Sequence, residues 1–287
     1  MDYPEIISEK CTGCRLCVED CNWGVLEMAG RLAVVNKEYT CVQCGHCLDI
    51  CPVDAVDYTS IGNPEKKPPI ASPDHIYGLF LSRRSIRKYK KKVVPDEMLD
   101  RLLDAASLAP SGCNSKSAEV IVITNPEVLT WIENKFSKLL KRLARISTNR
   151  LVHRILANFP ASSVRRLVEP NLFAGARAIA QSEAGNRPFV NFNSPVLMLF
   201  HADQAKSTPC EDCMLAANNV VMMSHASGLG TCFNGNIAGI INAFPKIRKK
   251  LKVPKGHKVY AAISLGFPAI KYRYGTPKKT IRTVYIK

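Results

Sequence analysis

The spacing of apolar residues changes along the chain, and each change marks an element. After Pro95-Asp96-Glu97, the residues Met98, Leu99, Leu102, Leu103 and Ala106 recur at helical spacing. With acids in the first turn, this predicts a helix that ends before Pro110. Val120 to Ile123 is a short apolar run stopped by Asn125-Pro126, and Val196 to Phe200 is another; both predict buried strands. Glu211 to Ser227 reads as a helix closed by Gly228, and Val259 to Leu265 as a third strand before Gly266. A short helix is expected over His75 to Leu81. From Trp131 to Val168, Lys135, Lys138, Lys141, Arg142, Arg145, Arg150, Arg154, Arg165 and Arg166 are set among Phe136, Leu139, Leu140, Leu143, Ile146, Leu151, Ile155 and Leu156. That pattern predicts a basic amphipathic helical segment over 131–168, with three readings: a solvated face packed on the core, a lid over a site, or a membrane-surface helix. Strands and helices alternate without the regular beat of a parallel doubly wound sheet, so the class expected is α+β.

The first 60 residues follow another logic. Cys11, Cys14, Cys17 and Cys21 are spaced C-x2-C-x2-C-x3-C, and Cys41, Cys44, Cys47 and Cys51 repeat that spacing 30 residues later, with Pro52 following. Four thiolates are the ligand set of a cubane iron-sulfur cluster, and the fourth cysteine of such a run ligates the other cluster. Cys11, Cys14, Cys17 and Cys51 are thus expected to hold one 4Fe-4S cluster, and Cys41, Cys44, Cys47 and Cys21 a second. Zinc usually takes two C-x2-C pairs rather than a run of three cysteines plus a fourth. A disulfide framework would need an oxidising compartment. The stretch resembles the bacterial two-cluster ferredoxins.

Length and charge add a domain plan. A chain of 287 residues is longer than one typical domain. Residues 62–74, rich in Pro and Lys, read as a semi-rigid linker. The plan is a cluster domain at 1–62, a linker at 63–74 and a larger domain at 75–287. Residues 1–62 carry four Lys/Arg against ten Asp/Glu, a formal −6, whereas 63–287 carry 36 against 14, a formal +22. Such asymmetry governs partner choice rather than fold. It suits an acidic cluster domain docked on its own basic neighbour, or a basic part that attracts an anionic substrate or an acidic external electron carrier. Nucleic acid is not expected, because no helix-turn-helix, finger or aromatic single-strand platform accompanies the charge. The opening residues Asp2-Tyr3-Pro4-Glu5 form no secretory leader, and no apolar run approaches the roughly 20 residues of a membrane span. A cytoplasmic protein is expected.

In the larger domain, Ser82-Arg83-Arg84-Ser85-Ile86-Arg87 gathers three guanidinium groups, whose forks match phosphate oxygens. Ala109-Pro110-Ser111-Gly112-Cys113-Asn114, Gly228-Leu229-Gly230-Thr231-Cys232-Phe233-Asn234-Gly235, Leu265-Gly266-Phe267-Pro268 and Pro277-Lys278-Lys279 follow in order. Taken together, these segments resemble the FMN-dependent nitroreductase family over 75–287, and the whole chain resembles its ferredoxin-fused branch. The resemblance implies a mixed sheet with surrounding helices, FMN, and a homodimer with FMN at its interface. It implies that Arg83, Arg84, Ser85 and Arg87 hold the FMN phosphate and ribityl chain. Pro110, Ser111, Gly112 and Asn114 would approach the flavin from the partner subunit. Cys232, Phe233, Asn234 and Gly235 would form the turn beside the isoalloxazine ring, and Lys278, with Lys279 as helper, would complete phosphate binding.

Two positions depart from the family pattern. Where the family often continues N-x-Q-P-W/F, Asn114 is followed by Ser115-Lys116-Ser117-Ala118, which loses an amide and an aromatic. Lys116 could place a cation near the flavin's pyrimidine end or sit at the dimer surface. Lys278 replaces an arginine and keeps charge without the fork. Cys210-Glu211-Asp212-Cys213 reads as structural, Cys113 and Cys232 as small buried hydrophobes, and His225 as a packed core residue.

The function expected is an oxidoreductase that takes electrons from an external low-potential donor such as ferredoxin. They would pass through the clusters to FMN and on to a small organic acceptor: a nitroaromatic, a quinone or an activated alkene. No side chain is assigned as a nucleophile. The alternatives are an electron-transfer module without small-molecule turnover and a flavin reductase fed by NAD(P)H.

Overall fold

A computed structural model of the protein describes residues 2–57, 68–147, 188–277 and 279–287, the side chains of 143–147 excepted. Much of the linker, the basic segment beyond 147, and Lys278 lie outside the described residues. The chain forms two compact units, Met1–Ala71 with Ser111–Ser115, and Ser72–Pro110 with Lys116–Lys287.

In the N-terminal unit, β1 (Glu5–Ile6) pairs antiparallel with β4 (Val56–Asp57), and β2 (Leu26–Ala29) with β3 (Leu32–Val35). Two short helices, α1 (Leu16–Asp20) and α2 (His46–Asp49), each begin after the second cysteine of a run and carry the third, Cys17 and Cys47. The duplication is visible in the backbone. Left-handed residues recur 30 apart at Gly13 and Gln43, Arg15 and Gly45, and Gly24 and Asp54. The buried pair Val25-Leu26 is answered by Ala55-Val56. Gly13 has no substitute, because a Cβ there would lie 2.1 Å from the Arg31 carbonyl oxygen. The core is small and partly made of ligands: Cys17, Leu26 and Ala33 are buried, with Ile6, Cys11, Cys21, Met28 and Cys47 packed around them.

The larger unit is built on a four-stranded antiparallel sheet, order β5-β6-β8-β7. Its strands are β5 (Glu119–Ile123), β6 (Val196–Asp203), β7 (Gly230–Phe233) and β8 (His257–Gly266). A parallel bridge from Ser85 to Thr231 beside edge strand β7 makes the arrangement mixed. The continuous apolar run of β6 is buried on both faces, and alternation along it explains how. Val196, Met198, Phe200 and Ala202 enter one core with α4 (Asp96–Ser107) and α6 (Pro209–Ala226). Leu197 and Leu199 enter the other core. There they meet Leu129, Ile132 and Phe136 of α5 (Pro126–Ser147), Ile237, Ile240 and Ile241 of α7 (Gly235–Ala243), and Ile247 of α8 (Pro245–Lys250). The expected α+β architecture, with helices surrounding a mixed sheet, is the one observed.

Over its described side chains the basic amphipathic segment is a solvated face packed on the core. Ile132 and Phe136 are fully buried, while Lys135, Lys138 and Arg142 are exposed. The ammonium of Lys250 sits 4.1 Å from the centre of the Trp131 ring. The remaining helix, α3 (Pro73–Ser82), starts two residues earlier than its apolar residues suggest, because Ser72 caps it and Pro73 occupies its first turn.

Candidate cluster and cofactor sites

In the N-terminal unit the two cysteine runs interlock. The Cys17 thiol is pushed up first by burial and then by the neighbouring Cys14, Cys51 and Cys11. Cys51 comes from the second repeat and the other three from the first. Burial likewise raises Cys47 to about 11, with Cys44, Cys41 and Cys17 adding to the rise. Thiols crowded this way resist carrying their charges together, and a cationic group among them removes that conflict. Backbone amides already point at sulfur: Gln43 N–H donates to Cys41 Sγ at 3.4 Å, and Ala55 N–H to Cys51 Sγ at 3.2 Å. A single tetrahedral zinc would draw its sulfurs to about 3.8 Å apart. Among the described residues no three cysteines bring their sulfurs within 4.8 Å of one another. None of the twelve cysteines forms a disulfide.

The 3-10 turn Gly112–Asn114 belongs to this unit. Its Cys113 and Asn114 are left-handed, and the Asn114 amide donates to the carbonyls of Val42, at 3.0 Å, and Gln43, at 2.7 Å. Both amide protons are thereby used, so any ligand of Asn114 meets its Oδ1, an acceptor. Cys113 is exposed, which corrects the expectation of a buried hydrophobe; the left-handed turn directs it outward. Ser111 and Gly112 share this turn, whereas Pro110 and Lys116 belong to the larger unit, both exposed, with Lys116 left-handed as well.

In the larger unit, residues 83–90 run beside β7 and the end of β8. Ile86 N–H donates to the Thr231 carbonyl at 2.8 Å, and Lys90 N–H to that of Phe267 at 2.8 Å. Gly230 permits the approach, since a Cβ there would sit 2.5 Å from Ile86 Cγ1. The Tyr89 hydroxyl donates to the Ile86 carbonyl at 2.7 Å and lies 3.2 Å from that of Ser264. The C-terminal segment closes on the same place: Thr276 N–H donates to the Leu81 carbonyl and its hydroxyl to the Arg83 carbonyl, at 2.7 and 2.8 Å. Arg84 donates to the Gly275 carbonyl at 3.2 Å and stacks 5.1 Å from the Tyr272 ring.

Arg87 lies beside Cys232: burial pushes the thiol up while the guanidinium pulls it down. Thus Arg83, Arg84, Ser85 and Arg87 come together with Cys232 and the segment leading to Lys279. Phe233 is exposed and Asn234 is buried. The Asn234 amide donates inward to Ser264 Oγ at 2.5 Å, and that hydroxyl donates to Asn191 Oδ1 at 2.7 Å. Asn234 therefore anchors the turn from below instead of reaching outward. No side chain caps α7 at its start, which leaves first-turn amides for a ligand. A Cβ at Gly235 would meet nothing within 4 Å, so the space over the turn is open. Guanidinium forks, uncapped amides and open space fit a phosphorylated planar cofactor.

Sequence reasoning did not find the polar support beneath this turn. Glu133 Oε1 accepts from Phe189 and Val190 N–H, at 2.9 and 3.0 Å, and its Oε2 from Asn191 N–H at 2.6 Å. A half-buried glutamate on an amphipathic helix gives no local signal of that role. His225, expected in the core, is half-buried with its Nε2 2.8 Å from Ser82 Oγ. At the head of α6, Asp212 is buried and accepts from Ser117 Oγ and Thr208 Oγ1 at 2.6 and 2.9 Å. That polar knot, with Cys213 buried beside it, gives the C-x2-C pair a structural setting.

The family model described as the nitroreductase family matches residues 81–267. The chain is a member of that family, an oxidoreductase fold with an N-terminal iron-sulfur unit: the 4Fe-4S dicluster domain model matches residues 10–56. A putative NADH dehydrogenase/NAD(P)H nitroreductase of Methanothermobacter thermautotrophicus is 24% identical over 192 residues, 66% of this chain and 74% of that protein. A ferredoxin of Methanothermococcus thermolithotrophicus is 44% identical over 50 residues, 17% of this chain and 83% of that protein. Among solved structures, an FMN-dependent nitroreductase of Clostridium difficile shares the fold at a TM-score of 0.51 and 20% identity, covering 75% of this chain and 100% of its own. Among the described residues no helix is long and apolar enough to cross a membrane.

Proposed function

We propose that this chain is an FMN-dependent oxidoreductase in which two 4Fe-4S clusters deliver electrons from an external low-potential donor such as ferredoxin to FMN, and FMN reduces a small organic acceptor. The observation that carries the reading is the company of Cys17: thiols of its own repeat and Cys51 of the other. That arrangement is expected of two clusters sharing ligands across a duplication. The ligand sets are Cys11, Cys14, Cys17 and Cys51, and Cys41, Cys44, Cys47 and Cys21.

FMN supplies the exchange between one-electron and two-electron chemistry; the chain supplies position, charge and exclusion of water. Arg83, Arg84 and Arg87 hold the phosphate end, with Lys278 and Lys279 as further cations. Gly235 and the uncapped start of α7 offer amides to the ring's carbonyl edge, and Asn234 keeps that turn fixed through Ser264. Phe233, exposed in the single chain, faces a ligand or a second copy. Ser111, Gly112 and Asn114 act in a homodimer, and Pro110 and Lys116 flank them. The acceptor is a nitroaromatic, a quinone or an activated alkene.

A second reading draws on the NAD(P)H nitroreductase named among the relatives: electrons enter from a nicotinamide and the clusters serve another partner. Anaerobic reduction by reduced ferredoxin, followed by a screen of acceptors for flavin reoxidation, tests the proposal. Stoichiometric reoxidation by one acceptor class supports it, and a flavin that no small molecule reoxidises points to a pure electron carrier.

A further inference from the structure

At the far end of the sheet from the cofactor turn, three strands bring together a set of ligating groups that the electron-transfer function does not use. Glu119 opens β5 and pairs with His201 of β6, while His257 opens β8 opposite Asp203. A register shift between Phe200 and His201 sets the two imidazoles side by side, ring centres 5.1 Å apart. Their Nδ1 atoms face each other at 3.0 Å. The Glu119 carboxylate straddles them, one oxygen 3.9 Å from His201 Nδ1 and the other 3.9 Å from His257 Nδ1. Among the described residues this is the one His/Cys/Asp/Glu trio whose ligand atoms all lie within 4.8 Å.

We propose that Glu119, His201 and His257 form a divalent-metal site of zinc's ligand class that staples strands β5, β6 and β8. Zinc binds imidazole nitrogen at about 2.0–2.1 Å. Two nitrogens on one such ion stand about 2.9 to 3.4 Å apart, from right-angled to tetrahedral geometry. The spacing observed already falls in that interval, and Glu119 needs only a small rotation to close on the same point. It has the freedom to make it: the Glu119 side chain is 57% exposed, against 4% for His201 and 14% for His257. Two histidines and one carboxylate leave a fourth position for water and select borderline ions such as zinc over magnesium or calcium.

The site is structural rather than redox. Ser264, the residue under the cofactor turn, lies seven positions along β8 from His257, which is roughly 23 Å of extended strand. What the ion offers is a link between positions 82 and 56 residues apart in sequence, closed on the folded chain alone.

The test uses the full-length protein, purified anaerobically with its iron intact, dialysed against one equivalent of zinc. One zinc per chain is expected to be retained, with X-ray absorption at the zinc edge showing only nitrogen and oxygen neighbours. Its saturation should raise the Tm by roughly 5–10 °C. His257→Asn and Glu119→Gln, both at partly exposed positions, should each lower zinc affinity at least tenfold and abolish most of the Tm shift, with iron content unchanged. Sulfur neighbours at the zinc edge, zinc binding unaltered in both variants, or no retained zinc would overturn the proposal.

Discussion

The side-chain amide of Asn114 donates a 2.7 Å hydrogen bond to the main-chain carbonyl of Gln43, a left-handed residue between Cys41 and Cys44. A residue proposed to approach the flavin is thus packed on a loop between two of the proposed cluster ligands. Asn114→Asp, which cannot donate, should lower stability by about 1–2 kcal/mol. The check is the urea midpoint of cluster loss, which should fall in Asn114→Asp and be unchanged in Cys113→Ala, whose side chain is exposed.

The interlocked ligand sets make a pairing prediction. Cys17→Ser and Cys51→Ser, in different repeats, should damage the same cluster and leave matching residual spectra. Cys47→Ser should leave the complementary signal. Electron paramagnetic resonance of the reduced variants checks this. Damage that follows the repeats, with Cys51→Ser resembling Cys47→Ser, would mean each run folds around its own cluster.

At Gly230, a methyl group would intrude to 2.5 Å from Ile86 Cγ1, and Ile86 is held to Thr231 by a backbone hydrogen bond. Gly230→Ala should cost about 1–3 kcal/mol through overpacking and displace the arginines on either side of Ile86. Flavin content per chain should drop with the iron content intact. Gly228→Ala, where a Cβ meets nothing within 4 Å but the backbone is left-handed, separates backbone strain from this steric effect.

Burial pushes the Cys213 thiol up to about 12, with Asp212 the next cause. Because its folded value lies above the unfolded one, the neutral thiol's contribution is fully present below about pH 9 and fades as pH climbs toward 12. Wild type should therefore lose its stability advantage over Cys213→Ala across that window, as read from urea midpoints measured from pH 8 upward. A constant difference would show that Cys213 does not titrate there.

The strands β5, β6 and β8 and helices α4 and α6 were legible because burial imposes a period on them: two-sided apolar runs for the strands, one-sided stripes for the helices. β7 was not, since Gly230-Thr231-Cys232-Phe233 carries no alternation and was read as a turn beside a cofactor. It forms because β8 offers an edge, pairing Thr231 with Leu265. The β2–β3 hairpin also escaped notice, although Gly30 in its left-handed turn is a local mark. The cysteine spacing and the arginine cluster were legible because their chemistry is local. Glu133 beneath Asn191, Asn114 against Gln43 and the Glu119, His201 and His257 trio were not: each joins distant positions, and only strand register or tertiary packing unites them.

The central claim, that iron-sulfur groups feed the flavin, is tested most directly by mixing reduced ferredoxin anaerobically with wild type and with a Cys17→Ser/Cys47→Ser variant, and following flavin bleaching. The account predicts rapid bleaching in wild type and at least a hundredfold slower bleaching in the variant at equal flavin content. Equal rates in the two proteins would contradict it.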